Sequence, residues 1–166
     1  MDEIPLIYEM ANLIHKDLHE DLAVFVERLT LFPEGCFVLG DVGYAISHPY
    51  TKNAPPLNTL IHSIPEQATC LYIHDVAILE PFRGFGAASA LVSQMNDLAL
   101  KKGLREMALT SVYGTESFWR RQGFLEDSSV QCPSYGDSCF MTQLVQPSND
   151  QVGGHGIETT CHRGCR

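Results

Sequence analysis

The stretch Arg83-Gly84-Phe85-Gly86-Ala87-Ala88-Ser89 combines residue types that could do chemistry. An apolar strand runs into Pro81, then into this loop, then directly into an amphipathic helix. Small residues at 84 and 86–88 let phosphate oxygens approach the backbone. The helix that starts there aims its free N–H groups and its positive dipole end at the same spot. The result is an anion cradle made of main chain, with Arg83 at its rim. Just upstream stand Tyr72 and His74, which strand alternation places on one face, while Asp75 turns to the other and orients or pairs with another group. An imidazole with an ordinary pKa of about 6.5 can take up a proton near neutral pH, whereas a phenol at about 10 can at most relay one.

The anion is narrowed by what the loop lacks. Gly84-x-Gly86-x-x-Ser89 falls one glycine short of a dinucleotide fingerprint, no βαβ unit opens the chain, and no acidic residue closes a second strand. No Lys-Ser/Thr pair follows the loop, which removes a P-loop NTPase. The pattern that fits is Arg/Gln-x-x-Gly-x-Gly/Ala, met by Arg83, Gly86 and Ala88. A second segment, Phe118-Trp119-Arg120-Arg121-Gln122-Gly123-Phe124, reads as a short helix stopped by a glycine ahead of a buried strand. In this order and spacing the two segments resemble the pyrophosphate loop and the aromatic-pair element of the GNAT acyl-CoA N-acyltransferases. Within that superfamily, Leu71-Tyr72-Ile73-His74-Asp75-Val76-Ala77-Ile78 looks most like the aralkylamine (serotonin-type) N-acetyltransferases, and the resemblance covers roughly residues 8–125.

The resemblance implies a set of roles. The central strand splays from the next parallel strand, and the pantetheine of CoA lies in the opening against the backbone of Val76, Ala77 and Ile78. Gly84, Phe85, Gly86, Ala87, Ala88 and Ser89, with Arg83, receive the pyrophosphate. A backbone N–H near Ile78 faces the thioester carbonyl and can stabilise an oxyanion. His74 matches a catalytic histidine of the family and would remove the proton of the attacking amine. Tyr72 stands where the family has a second histidine and would relay at most. The implied cosubstrate is acetyl-CoA, with no metal. The implied acceptor is a primary amine on a small molecule, an arylalkylamine or a polyamine, in a pocket walled by the aromatics at 50, 72, 113 and 119.

Two departures qualify this reading. Where the family has an acidic tyrosine in the aromatic-pair element, this chain has Trp119, a poor acid that can instead wall the CoA sulfur. Tyr113 or Tyr135 could substitute, and a thiolate with a pKa of about 8.5 can also leave unaided. The family also opens with a strand, but here the chain enters a helix almost at once, leaving a sheet edge that could invite a homodimer. These departures keep two other readings open: a CoA-binding protein without turnover that acts as a sensor or partner subunit, and a protein or peptide N-acetyltransferase.

The chain has 166 residues, 45% apolar and 19% charged, which suits one domain with a full core. A net charge of −9 disfavours nucleic acid and mildly favours a cationic substrate. No apolar run approaches the roughly 20 residues of a membrane span, and the acidic start MDEIPLIYEM lacks a signal peptide's features, so a cytoplasmic protein is expected. Of six cysteines, Cys36 and Cys70 read as core residues and Cys132 and Cys139 flank a loop. Cys161 and Cys165, near His155 and His162, do not have zinc spacing.

Periodicity predicts the elements that must hold these residues. Helices are expected over 6–18 and 20–31, and a hairpin of 36–39 with 42–48 turns at Gly40-Asp41. A loop over 49–68 contains four of the nine prolines, with a short helix at 57–62. The central strand, 69–79, is followed by a helix over 86–102, a strand over 105–112, a short helix over 115–122 and strands from 123 and over 137–145. The expected fold is α/β: a mixed, mostly antiparallel twisted sheet flanked by helices, with splayed central strands and without the first strand. Residues 1–145 form the domain and 146–166 a disordered tail. His48 is a candidate to line the pocket, whereas His15, His19 and His62 read as surface residues.

Overall fold

Alternating burial along β2 shows how the sheet divides two layers of helix. Tyr44 and Ile46 pack with Ile7, Met10 and Phe25, while Ala45 between them packs with Leu91, Met95 and Met107. The computed structural model describes residues 3–147. Its elements are α1 (Ile4–Ile14), α2 (Leu22–Leu31), β1 (Cys36–Val38), β2 (Gly43–Tyr50), β3 (Cys70–Ile78), α3 (Ala87–Lys101), β4 (Glu106–Val112), α4 (Glu116–Arg121), β5 (Leu125–Glu126) and β6 (Ser138–Leu144). Six strands form one open sheet in the order β1-β2-β3-β4-β6-β5, and only the β3–β4 pair is parallel. Helices α1 and α2 cover one face, α3 and α4 the other. This is the mixed, mostly antiparallel architecture expected from the sequence.

Among the described residues no strand precedes α1. The resulting edge, β1, is only three residues long, which limits edge-to-edge pairing. No helix among them is long and apolar enough to cross a membrane. The expected tail lies outside the described residues from 148 on, together with His155, Cys161, His162 and Cys165.

Three expected elements change, and the first is the buried strand expected from 123, which is only the two exposed residues of β5. Helix α1 stops at Ile14 instead of 18, because His15 leaves helical geometry and its side chain bonds to Asp75 of β3. No helix forms over 57–62. Asn58 and His62 have positive φ there, and Glu27 accepts hydrogen bonds from the amides of Ile61 and His62. Helix α4 ends as expected at Gly123, whose φ of 96° favours glycine. Phe124 then donates back to the Trp119 carbonyl and Gly123 to that of Arg120, both at 3.0 Å, closing the last turn.

Candidate functional site

Strands β3 and β4 pair only from Cys70↔Glu106 to Ile73↔Leu109, although both run further. Beyond Ile73 they part. Leu79 donates to Val42 on the β2 side. Successive residues of a strand alternate direction, so the peptide groups of Val76 and Ile78 face the gap. The Ile78 carbonyl is already taken by Arg83 Nε at 2.9 Å. The N–H and C=O of Val76 and the N–H of Ile78 are left for a ligand.

The gap opens into a cleft of about 730 Å³. One end is the loop expected from the sequence. Gly86 caps α3 with φ 86°, a left-handed conformation that a side chain would strain, and a Cβ there would meet nothing within 4 Å. The first peptide N–H groups of this 15-residue helix, which have no partner within it, open onto the cleft beside Gly84, Ala87, Ala88 and Ser89. Arg83 and Arg121 line the same end. Arg121 was missed in the sequence, where it read only as a polar residue of the aromatic-pair element. Ser89 Oγ accepts from Gln122 Nε2 at 3.0 Å, which fastens α3 to the end of α4. Phe85 is 85% exposed and does not line the cleft. Trp119 does line it, braced between Phe118 and Phe124 at ring distances of 5.0 and 5.4 Å.

The other end is built from side chains. The register of β2 against β3 pairs Ile46 with Asp75 and Ser47 with Ile73, so His74 is an extra residue in β3. This bulge resets the alternation. It corrects the expected placing of Asp75: His74 and Asp75 both turn toward the α1–α2 side. There they meet the segment joining α1 to α2. His74 Nε2 lies 2.8 Å from Glu20 Oε2, and His15 Nε2 lies 3.0 and 3.1 Å from the two oxygens of Asp75. Each partner in one pair is thus beside a partner in the other. His15 is no surface residue: it lines the cleft and stacks on Tyr113 at 6.0 Å. In the sequence His15 read as a surface residue of the first helix, and Glu20 was the unremarked first residue of the second.

Burial would push the Glu20 carboxyl up, but attraction to His74 and its hydrogen bond outweigh that and hold it below the usual range. Asp75 is likewise lowered: burial is outweighed by His15 and by hydrogen bonds from His15 and Tyr44. His15 is raised, because Asp75 more than offsets the opposing effect of burial. Burial and the nearby Asp75 carboxylate push the Tyr44 hydroxyl far up, so it stays a donor.

Tyr72 is buried and does not line the cleft; its hydroxyl shares a hydrogen bond of 2.9 Å with Thr110 Oγ1. His48 is also fully buried behind it and does not line the cleft. Its Nδ1 meets the Pro49 carbonyl at 3.2 Å, its Nε2 has no partner, and burial, His74 and Arg28 lower its pKa to about 3. Of the four aromatics expected to wall an acceptor pocket, Tyr113 and Trp119 line the cleft and Tyr50 and Tyr72 do not. Tyr135 lines it too and donates to the Pro55 carbonyl at 2.9 Å. Among the described residues no group of three or more His, Cys, Asp or Glu could hold a metal ion.

A family model described as "Acetyltransferase (GNAT) family" matches residues 7–124. The chain belongs to the GNAT acetyltransferase family. Solved GNAT-fold structures agree on the fold. Ard1 from Thermoplasma volcanium superposes with a TM-score of 0.66 at 18% identity, over 88% of this chain and 93% of its own. The loading GNATL domain of CurA from Lyngbya majuscula gives 0.73 at 13%, over 87% and 94%. N-acetylglutamate synthase from Neisseria gonorrhoeae, complexed with coenzyme A and N-acetyl-glutamate, gives 0.67 at 16%, over 89% of this chain and 34% of that one. No curated protein matches the chain in sequence. The family likeness does not extend to identifying the serotonin-type subfamily expected from residues 71–78.

Proposed function

We propose that this GNAT protein transfers an acetyl group from acetyl-CoA to a primary amine of a small molecule. The observation that carries the reading is the parting of β3 and β4 beyond Ile73, which connects a phosphate cradle at Gly86 to a mouth flanked by Glu20 and Asp75. The pyrophosphate sits on the free N–H groups of α3 between Arg83 and Arg121. The pantetheine amides run along the gap and bond Val76, in place of the strand pairing that stops at Leu109. The Ile78 N–H is then available to the thioester oxygen as it gains charge. Two ionised carboxylates draw a protonated amine to the far end. The ammonium must lose a proton before it can attack, and this falls to an imidazole held by one of those carboxylates, His15 or His74.

Bound CoA supplies the activated acyl group, and the chain supplies the backbone that orients it. The test is a thermal-shift comparison of CoA, acetyl-CoA and NAD, followed by thiol release from acetyl-CoA with a panel of arylalkylamines and polyamines. CoA and acetyl-CoA raise Tm because they bind only the native state. A larger shift with NAD, or no amine-dependent thiol release, refutes the reading.

A further inference from the structure

We propose that His15, oriented by Asp75, is the catalytic base of this cleft. The inference rests on the acyl-transfer reading above and names the residue that performs its proton step. The two imidazoles at the mouth differ in which nitrogen keeps its lone pair and where it lies. A carboxylate accepts only, so each imidazole donates through Nε2, and Nδ1 is the basic atom of the neutral ring. In His74 that atom is buried without a partner, and the side chain is 3% exposed. Its other nitrogen is held by Glu20, so that ring offers the cleft no free lone pair. In His15 the side chain is 17% exposed on the cleft wall, and its Nδ1 is not among the buried unpartnered atoms.

His15 also has an orienting partner. Asp75 receives its Nε2–H on both oxygens and is itself held by the Tyr44 hydroxyl, so the tautomer and ring plane are fixed from behind. Stacking on Tyr113 fixes the ring from the side. Asp75 from β3 and Glu20 from its own segment act on His15 directly, and Tyr113 after β4 stacks on it; Tyr44 and His74 act on those carboxylates, and Asp17 on Tyr113. Burial is outweighed by attraction to Asp75 and Glu20, and His15 is raised.

In the step itself, His15 Nδ1 takes one proton from the ammonium and releases it to solvent; the freed amine lone pair then forms the N–C bond to the thioester carbonyl, and the second nitrogen proton passes to His15 Nδ1. The oxyanion collapses, the C–S bond breaks, and sulfur leaves with the electron pair. The thiolate takes up the proton from His15 through solvent. The products are the acetamide and free CoA thiol.

The experiment measures thiol release from acetyl-CoA with phenylethylamine as the probe, across pH, for the wild type and for His15→Gln, Asp75→Asn and His74→Gln. His15→Gln should cut kcat/KM by about 10²–10⁴. It should abolish the wild-type plateau, so that rate climbs with pH as free amine accumulates, and leave the CoA-induced shift in Tm unchanged. Asp75→Asn should fall between. His74→Gln should lower Tm and keep the wild-type pH limb. A His15→Gln enzyme with the wild-type profile overturns the proposal while leaving acetyl transfer intact. An equal loss of rate and CoA shift in the His15 and His74 variants also overturns it, leaving the two pairs as fasteners. A wild type that binds CoA but releases no thiol with any amine overturns the acyl-transfer reading and this proposal together. Should the His74 variant not fold, imidazole NMR of the wild type decides. His15 must titrate above the ordinary imidazole value, from an Nε2–H tautomer and at the kinetic midpoint, and a silent His15 overturns the assignment.

Discussion

The two ends of the cleft are made of different material. At Gly86 the site is main chain: helix N–H groups, a left-handed glycine and the strand backbone at Val76 and Ile78. At the mouth it is side chain: two imidazole–carboxylate pairs crossing from the α1–α2 segment to a bulge in β3. A main-chain site depends on local geometry, which a few glycines and a helix start determine. A side-chain site depends on which distant residues meet. The cofactor end should therefore fail at one position and tolerate change elsewhere, while the mouth should respond to every member of its network and to pH.

The largest effect tests the first half of that contrast. Gly86→Asp puts a strained side chain and a negative charge where a phosphate would lie. It should abolish the CoA-induced stabilisation, which is about 2.7 kcal/mol at a hundredfold excess over Kd. The ligand-free protein should lose only the cost of the left-handed backbone, about 1–2 kcal/mol, since a Cβ at Gly86 meets no neighbour. A CoA shift that survives would place the phosphates elsewhere.

Next in size is Glu20→Gln, which removes the carboxylate held against buried His74. It should cost about 1–3 kcal/mol in chemical denaturation, because His74 Nε2 loses its charged acceptor. CoA binding should be unaffected, and a lost CoA shift would show that the two ends are coupled.

The pH dependence sharpens the contrast further. His48 has a folded pKa of about 3 against an ordinary 6.5, so its contribution is present above 6.5 and lost as pH falls. Folding stability should fall by up to about 1.4 kcal/mol per pH unit below that point. Glu20 and Asp75, both lowered, add to the loss only once pH falls below the ordinary carboxylate range. His15, raised, acts with the opposite sign: its contribution is complete below 6.5 and disappears as pH rises through its folded value. Stability should peak near neutrality, and His48→Leu should flatten the limb between about pH 6.5 and 4. An unchanged limb would mean that His48 already carries its proton.

The smallest effect is expected from Tyr72→Phe. It removes one hydrogen bond to Thr110, worth about 0.5–1.5 kcal/mol, and should leave turnover near that of the wild type. A loss of turnover as large as that of His15→Gln would return Tyr72 to the chemistry.

What could be read in the sequence follows the same division. The Arg83–Ser89 loop, the stop at Gly123 and the span of β3 were legible because each is a short-range signal: small residues, a left-handed turn, apolar periodicity. The bulge at His74 was not, since one extra residue leaves the composition of the strand unchanged and shows only in register with β2. Without it, alternation sent Asp75 to the wrong face. His15 was read as surface because its partner lies 60 positions away, and nothing local marks a residue that ends a helix in order to reach a distant strand. His48, as a strand-end histidine, read as a pocket residue, yet the aromatic cluster of Tyr50 and Tyr72 covers it.

The unfinished pairing of β3 and β4 bears on how such a protein can drift. Peptide groups are common to every residue type except proline at its nitrogen, so a wall built from them does not register most substitutions along it. Val76 and Ile78 could be exchanged for other strand-forming residues and still present the same donors and acceptors. Selection on that stretch then acts through strand geometry and not through side-chain identity. The mouth has no such freedom. A lineage could change its acceptor by altering a few crossed pairs while its cofactor grip stayed the same, and its sequence would be least informative where its chemistry is most constant.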